Sequence, residues 1–179
     1  MHPERRRFLA LQLVFGPAVL ASYAICIGFW PEASARMWGG VPESIRGVYT
    51  GWMFVAAAGY LAFTAALLIH ADPARARVAF GFDYPALHAM YAALLVGSML
   101  WMPLTKWHLG GAIPFALVVV DLWFVAAGSL ALLATSLRLA PPLPGAWRVA
   151  APLGAAAFCV QTVLLDALVW PALWLSAAP

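Results

Sequence analysis

Two aspartates stand where a carboxyl is expensive. Asp121 lies in ALVVVDLWFVAAG and Asp166 in VQTVLLDALVWP, both deep inside apolar runs. An aspartate at the centre of a membrane helix costs about 2.5–3.5 kcal/mol on the insertion scale. Such residues usually face a bundle interior and often mark a functional path. Paired carboxyls can serve as general acid and base. They can equally orient the polar groups of a bound molecule, or hydrogen-bond to a neighbouring helix through Gln161, Ser98 or a hydroxyl.

The second chemistry-bearing set is aromatic. Of nine tryptophans, Trp30, Trp38, Trp52, Trp101, Trp107, Trp170 and Trp174 are expected on one side of the chain's membrane path, Trp123 near its middle, and only Trp147 on the other side. Aromatic belts form at both membrane interfaces, so a one-sided set suggests a pocket as well as a belt. Trp38, Trp52, Trp101 and Trp123, with Asp121 and Asp166, are the candidate ligand-binding residues: flat apolar faces with few polar anchors are the usual make-up of such sites.

No residue is singled out as catalytic. Cys26 and Cys159 both lie in apolar runs, without a CxxC or a Cys/His cluster, and read as small buried hydrophobes rather than metal ligands. His88, expected near the start of the third span, and His108, expected in a loop, are each alone on their element. Haem ligation would need an axial ligand at a suitable depth.

The elements that must position these groups follow from composition. The chain has 179 residues, 65% hydrophobic and 9% charged, against about 25% charged in soluble domains; mean hydropathy is +0.89. The predicted fold class is an all-α membrane protein, one five-helix transmembrane bundle over residues 1–179. A span needs about 20 apolar residues, and the runs that qualify are 8–30, 47–69, 84–105, 112–137 and 149–175. The opening MHPERRRFLALQLVFG, followed by SYA, has the outline of a signal peptide. However, the apolar run continues through Ile25, Cys26, Ile27 and Phe29, so it is expected to remain as a span.

Orientation follows from lysine and arginine. With the N-terminus cytoplasmic, Arg5, Arg6, Arg7, Arg75, Arg77, Arg138 and Arg148 lie inside, and Arg36, Arg46 and Lys106 outside. The net charge of +3 is scattered between apolar runs, which excludes the concentrated basic face of a nucleic-acid binder. Asp121 is nine residues past Ala112 and Asp166 nine before Leu175, so each is expected about 14 Å below the same end of the bundle. In SMLWMPLTKWHLGG, Pro103 is expected to loosen or kink the last helical turn, Lys106 to snorkel to headgroups, and the glycine pair to make a tight connection.

Several of these stretches resemble the translocator protein (TspO) family, the tryptophan-rich sensory proteins. Trp101-Met102-Pro103-Leu104 is similar to the W-S-P-L-F-F that ends that family's third helix, and Trp123 follows at a matching place in the fourth. Leu164-Leu165-Asp166 precedes Trp170 with the spacing of A-L-N-x-x-x-W, Trp38 and Pro42 echo W-x-P-P, and Val48-Tyr49-Thr50 resembles V-W-T. The likeness covers roughly residues 38–174, with departures at Gly154-Ala155 for P-Y, Gly97-Ser98 for L-N, and Asp166 for Asn. It implies a five-helix fold with a hydrophobic pocket near one membrane face, closed by the first loop, and porphyrins or sterols as ligands.

The resulting expectation is a multi-pass integral membrane protein that binds or transports a flat hydrophobic molecule. No cofactor is certain; the resemblance implies a tetrapyrrole or a sterol-like molecule as ligand. The alternatives are an intramembrane enzyme, isomerase-like and acting on a lipid through Asp121 and Asp166, or a purely structural protein. The enzyme ranks lower because no nucleophile or metal motif accompanies the acids. The expected partners are a hydrophobic small molecule or lipid and the membrane, and no nucleic acid. Ala56-Ala57-Ala58-Gly59 would also suit the close approach of a homodimer.

Overall fold

The computed structural model describes residues 1–177. Helix α1 spans Pro3–Phe29, α2 Pro31–Arg36, α3 Glu43–His70, α4 Ala86–Leu109 and α5 Phe115–Arg138. The last helix, α6, runs Trp147–Ala177. Among the described residues α1, α3, α4, α5 and α6 are long and apolar enough to cross a membrane, so the chain is an all-α, five-helix bundle, as expected. The odd number of crossings puts the termini at opposite ends. We call the end holding the N-terminus basic and the other distal.

Each helix starts and stops for local reasons. Pro3, Pro31 and Pro42 stand at or beside helix starts, where a missing N–H is no loss. Helix α4 does not end at Thr105. It continues through Pro103 to Leu109, with Lys106 and His108 in its last turn. His108 is therefore a helical residue rather than a loop one. Lys106 does more than reach toward headgroups: its ammonium lies 3.4 Å from the centre of the Trp30 ring, a cation–π contact that ties α4 to the end of α1. Helix α5 starts three residues later than expected, at Phe115, so Asp121 lies about 9 Å along it rather than about 14 Å.

Packing arranges the helices as a ring in the order α1, α4, α5, α6, α3, closed only lightly between α3 and α1. At the basic end Phe8, Phe63, Leu67, Tyr84, Leu87 and Tyr91 form a core around α1, α3 and α4. At the distal end Val41, Tyr49, Val118, Leu122, Ala167 and Trp170 form a second. The approach of α3 to α6 is set by Gly59 and Gly154, whose backbones touch; a Cβ on either would meet the other's carbonyl oxygen. Part of the small-residue run is thus spent inside the chain: Ala56 is buried with Gly59, while Ala57 and Ala58 stay on the surface. Cys26 and Cys159 are both buried and free.

The connection after α1 clasps the distal end of α6. Trp170 Nε1 donates to the Met37 carbonyl at 2.9 Å. Gly39, at φ +53°, makes the turn over the Trp174 ring, and Gly40 lies against the Leu173 carbonyl so closely that no side chain fits. At the basic end Arg77 and Ala140 exchange backbone hydrogen bonds of 2.7 and 3.1 Å, stitching together the α3–α4 and α5–α6 loops.

Candidate functional site

The distal half of the ring gathers polar groups that each helix contributes from well inside the bundle. Tyr23 on α1, Tyr49 on α3 and Asp121 on α5 are each six residues from the distal end of their helix, about 9 Å along it. Trp101 on α4 is eight residues in, about 12 Å. Tyr23 packs 5.7 Å from Trp101, and Trp101 stands edge-on to Trp170 at 6.0 Å. Trp174 continues the series, 4.9 Å from Trp170 and stacked on Phe115 at 5.3 Å. His108 closes it, 5.7 Å from Trp174, with its ring nitrogen Nδ1 3.1 Å from the Ile113 carbonyl.

Asp166 owes its position to a change in backbone winding. Between Val160 and Val169 helix α6 is π-helical, so that Trp170 N–H reaches back to the Leu165 carbonyl. In an α-helix, side chains five residues apart point about 140° away from each other. The wider π turn brings Gln161 beside Asp166, and Gln161 Nε2 donates to Asp166 Oδ1 at 2.7 Å. π-Helical segments are rare and occur frequently at functional sites. Thr162, next along, donates to Ser129 Oγ of α5 at 2.7 Å.

Asp166 is half-buried, and Tyr23 and Tyr49 stand on other helices of the distal half. Those tyrosines belong to α1 and α3, the two neighbours that barely touch. Tyr49 Oη donates to the Leu165 carbonyl, next to Asp166, at 3.3 Å. Asp121 is buried and backs onto α4 at Gly97, where a Cβ would lie 3.2 Å from its Oδ1. Trp101 follows Gly97 by one turn, on the same face of α4. The two carboxyls make no hydrogen bond to each other among the described residues.

In the distal half Trp101 Nε1, Asp121 Oδ2 and Gln161 Oε1 are buried and have no hydrogen-bond partner among the described residues. One is a donor and two are acceptors. Away from water an unmatched polar group costs several kcal/mol; four more lie toward the basic end, on Glu4, Arg5, Gln12 and Tyr84.

The remaining candidates stand apart. Trp38 covers Tyr49 edge-on at 6.3 Å and carries the Arg46 guanidinium 5.5 Å from its ring centre, so it packs on the distal end of α3. Trp52 donates from Nε1 to the Ala157 carbonyl at 3.1 Å, a tie between α3 and α6. Trp123 is 46% exposed on the outer face of α5, where with Val120, Phe124 and Ala127 it lines a shallow apolar groove of about 290 Å³. Tyr23, Tyr49 and Trp170 lie in the same half of the bundle and are not among the residues expected from sequence. The sequence signal for Tyr23 is a phenol inside an apolar run, and for Gln161 an amide five residues before an aspartate. Among the described residues no cluster of His, Cys, Asp and Glu could hold a metal.

No family model, no curated protein and no solved structure matches this chain.

Proposed function

We propose that this membrane protein binds a flat, largely hydrophobic molecule in its distal half, entering from the bilayer through the seam between α1 and α3. The observation that carries the reading is the unmatched set of Trp101 Nε1, Asp121 Oδ2 and Gln161 Oε1 beside the Tyr23–Trp101–Trp170 aromatic series. A ligand with a flat apolar body and one or two polar substituents would satisfy those atoms and stack on those rings. Tetrapyrroles and sterols have that form, and they are what the resemblance to the translocator protein family implies. Trp38 and the clasp around α6 would cover the ligand from the distal side. Binding fits better than acid–base chemistry because Asp166 is engaged by Gln161.

Titration of the purified protein with protoporphyrin, or with a sterol, tests the reading through quenching or shift of tryptophan emission. Trp101→Phe should weaken binding about ten-fold, losing a stacking face and a hydrogen-bond donor worth about 1–1.5 kcal/mol together. Trp147→Phe, at the basic end, and Trp123→Phe, on the outer surface, should leave affinity unchanged. Equal effects from all three variants would mean partitioning into the detergent belt and would remove the site.

A further inference from the structure

We propose that the basic end of the bundle carries a seat for the phosphate of an anionic lipid headgroup, in the groove between the end of α5 and the start of α6. The charge balance of that end leads to it. Its seven arginines face three acids, Glu4, Asp72 and Asp83. Each acid is already matched: Glu4 to Arg7 at 2.7 Å, Asp72 to Arg75 at 3.8 Å, and Asp83 to Arg77. Arg5 donates to the Ala71 carbonyl at 2.7 Å. Among the described residues this leaves Arg6, Arg138 and Arg148 without an acidic partner. Arg148 lines a groove of about 340 Å³ together with Ser136, Leu139, Pro142, Leu143 and Pro152.

The groove has the two halves a phospholipid needs. A guanidinium offers paired N–H donors to phosphate. The apolar walls lead onto Leu137, Val149 and Leu153, exposed at 65%, 62% and 65%, along which an acyl chain can lie. The position suits the occupant, because Leu137 and Val149 belong to the last and first turns of two membrane-spanning helices, at headgroup depth. Basic pockets between spans are places where anionic headgroups bind. Soluble phosphate shares the charged chemistry but has no use for the apolar walls.

The test uses the full-length protein in vesicles of phosphatidylcholine with a minority of phosphatidylglycerol, extracted gently, with retained lipid counted by native mass spectrometry. Phosphatidylglycerol should be enriched over phosphatidylcholine. Arg148→Gln should lower that enrichment about five-fold, the equivalent of the roughly 1 kcal/mol one arginine contributes at an anionic surface. Arg148→Lys, which keeps the charge, should retain most of it, and Arg36→Gln at the distal end all of it. Arg148 is exposed, so its replacement leaves the core intact. Equal retention by wild type and Arg148→Gln, or no preference between the lipids, would overturn the proposal. Displacement of phosphatidylglycerol by inorganic phosphate alone would overturn it as well, reassigning the groove to a soluble ion.

Discussion

Gln161 and Asp166 meet at 2.7 Å only because α6 is wound as a π-helix between them. The pair should therefore be energetically coupled. In membrane proteins such side-chain hydrogen bonds contribute about 0.6 kcal/mol on average and up to about 1.7. A double-mutant cycle of Gln161→Leu and Asp166→Leu, read by denaturant unfolding in detergent, should give a coupling of about 1 kcal/mol. A coupling of zero would mean that this stretch is wound as an ordinary α-helix.

Gly59 should tolerate no side chain. Its backbone rests on Gly154, so an added methyl meets backbone rather than a movable side chain. Gly59→Ala should destabilise the bundle by about 1–3 kcal/mol, the usual range for overpacking. Gly51, on the same helix with nothing within 4 Å, provides the contrast. Gly51→Ala should be neutral or stabilising by up to about 1 kcal/mol, through backbone entropy. Thermal unfolding of the two variants side by side measures the difference.

Tyr84 is fully buried between the basic-end core and the first turn of α1, and its hydroxyl has no partner. Burial pushes the phenol up to about 12, with Arg5 pulling it back and Glu4 adding to the rise. A phenol raised in the folded state contributes stability below its ordinary value of 10.0 and loses it as pH climbs toward 12. Tyr84→Phe removes an unmatched hydroxyl at little cost in shape, so at neutral pH it should be neutral or stabilising by about 1 kcal/mol. Between pH 10 and 12 the variant should lose less stability than wild type. A clear loss at neutral pH would show that the hydroxyl has a partner.

The bundle should insert with its basic end in the cytoplasm. Seven of ten lysines and arginines lie at that end, and short basic loops are retained inside. Reporter fusions at the C-terminus should then signal from the opposite side. A cytoplasmic C-terminal signal would reverse the assignment and put the tryptophan-rich end inside.

Sequence alone determined the number and approximate limits of the spans, the charge asymmetry of the two ends, and the presence of two intramembrane acids. Run length, basic residues and isolated carboxyls are local properties, which any path of the chain must respect. The end of α4, expected at Thr105, and the start of α5, expected at Ala112, differ because the apolar runs stop and start there locally. Helix α4, however, runs on past Thr105 to Leu109, its extra turn held by contacts such as Lys106 over Trp30, and α5 starts only at Phe115.

Only the tertiary structure decided which side of each helix faces inward. A membrane helix is apolar on all sides, so periodicity carries little information about its buried face. Sequence makes both Trp101 and Trp123 candidate ligand-binding residues. Packing turns the first toward Tyr23 and Trp170 and leaves the second on the outer surface. The π winding is equally invisible in sequence, because it depends on how α6 is gripped by its neighbours: Ser129 of α5 at Thr162, Tyr49 of α3 at Leu165, and the first connection at Trp170. Two residues five apart meet only when that grip holds the wider turn.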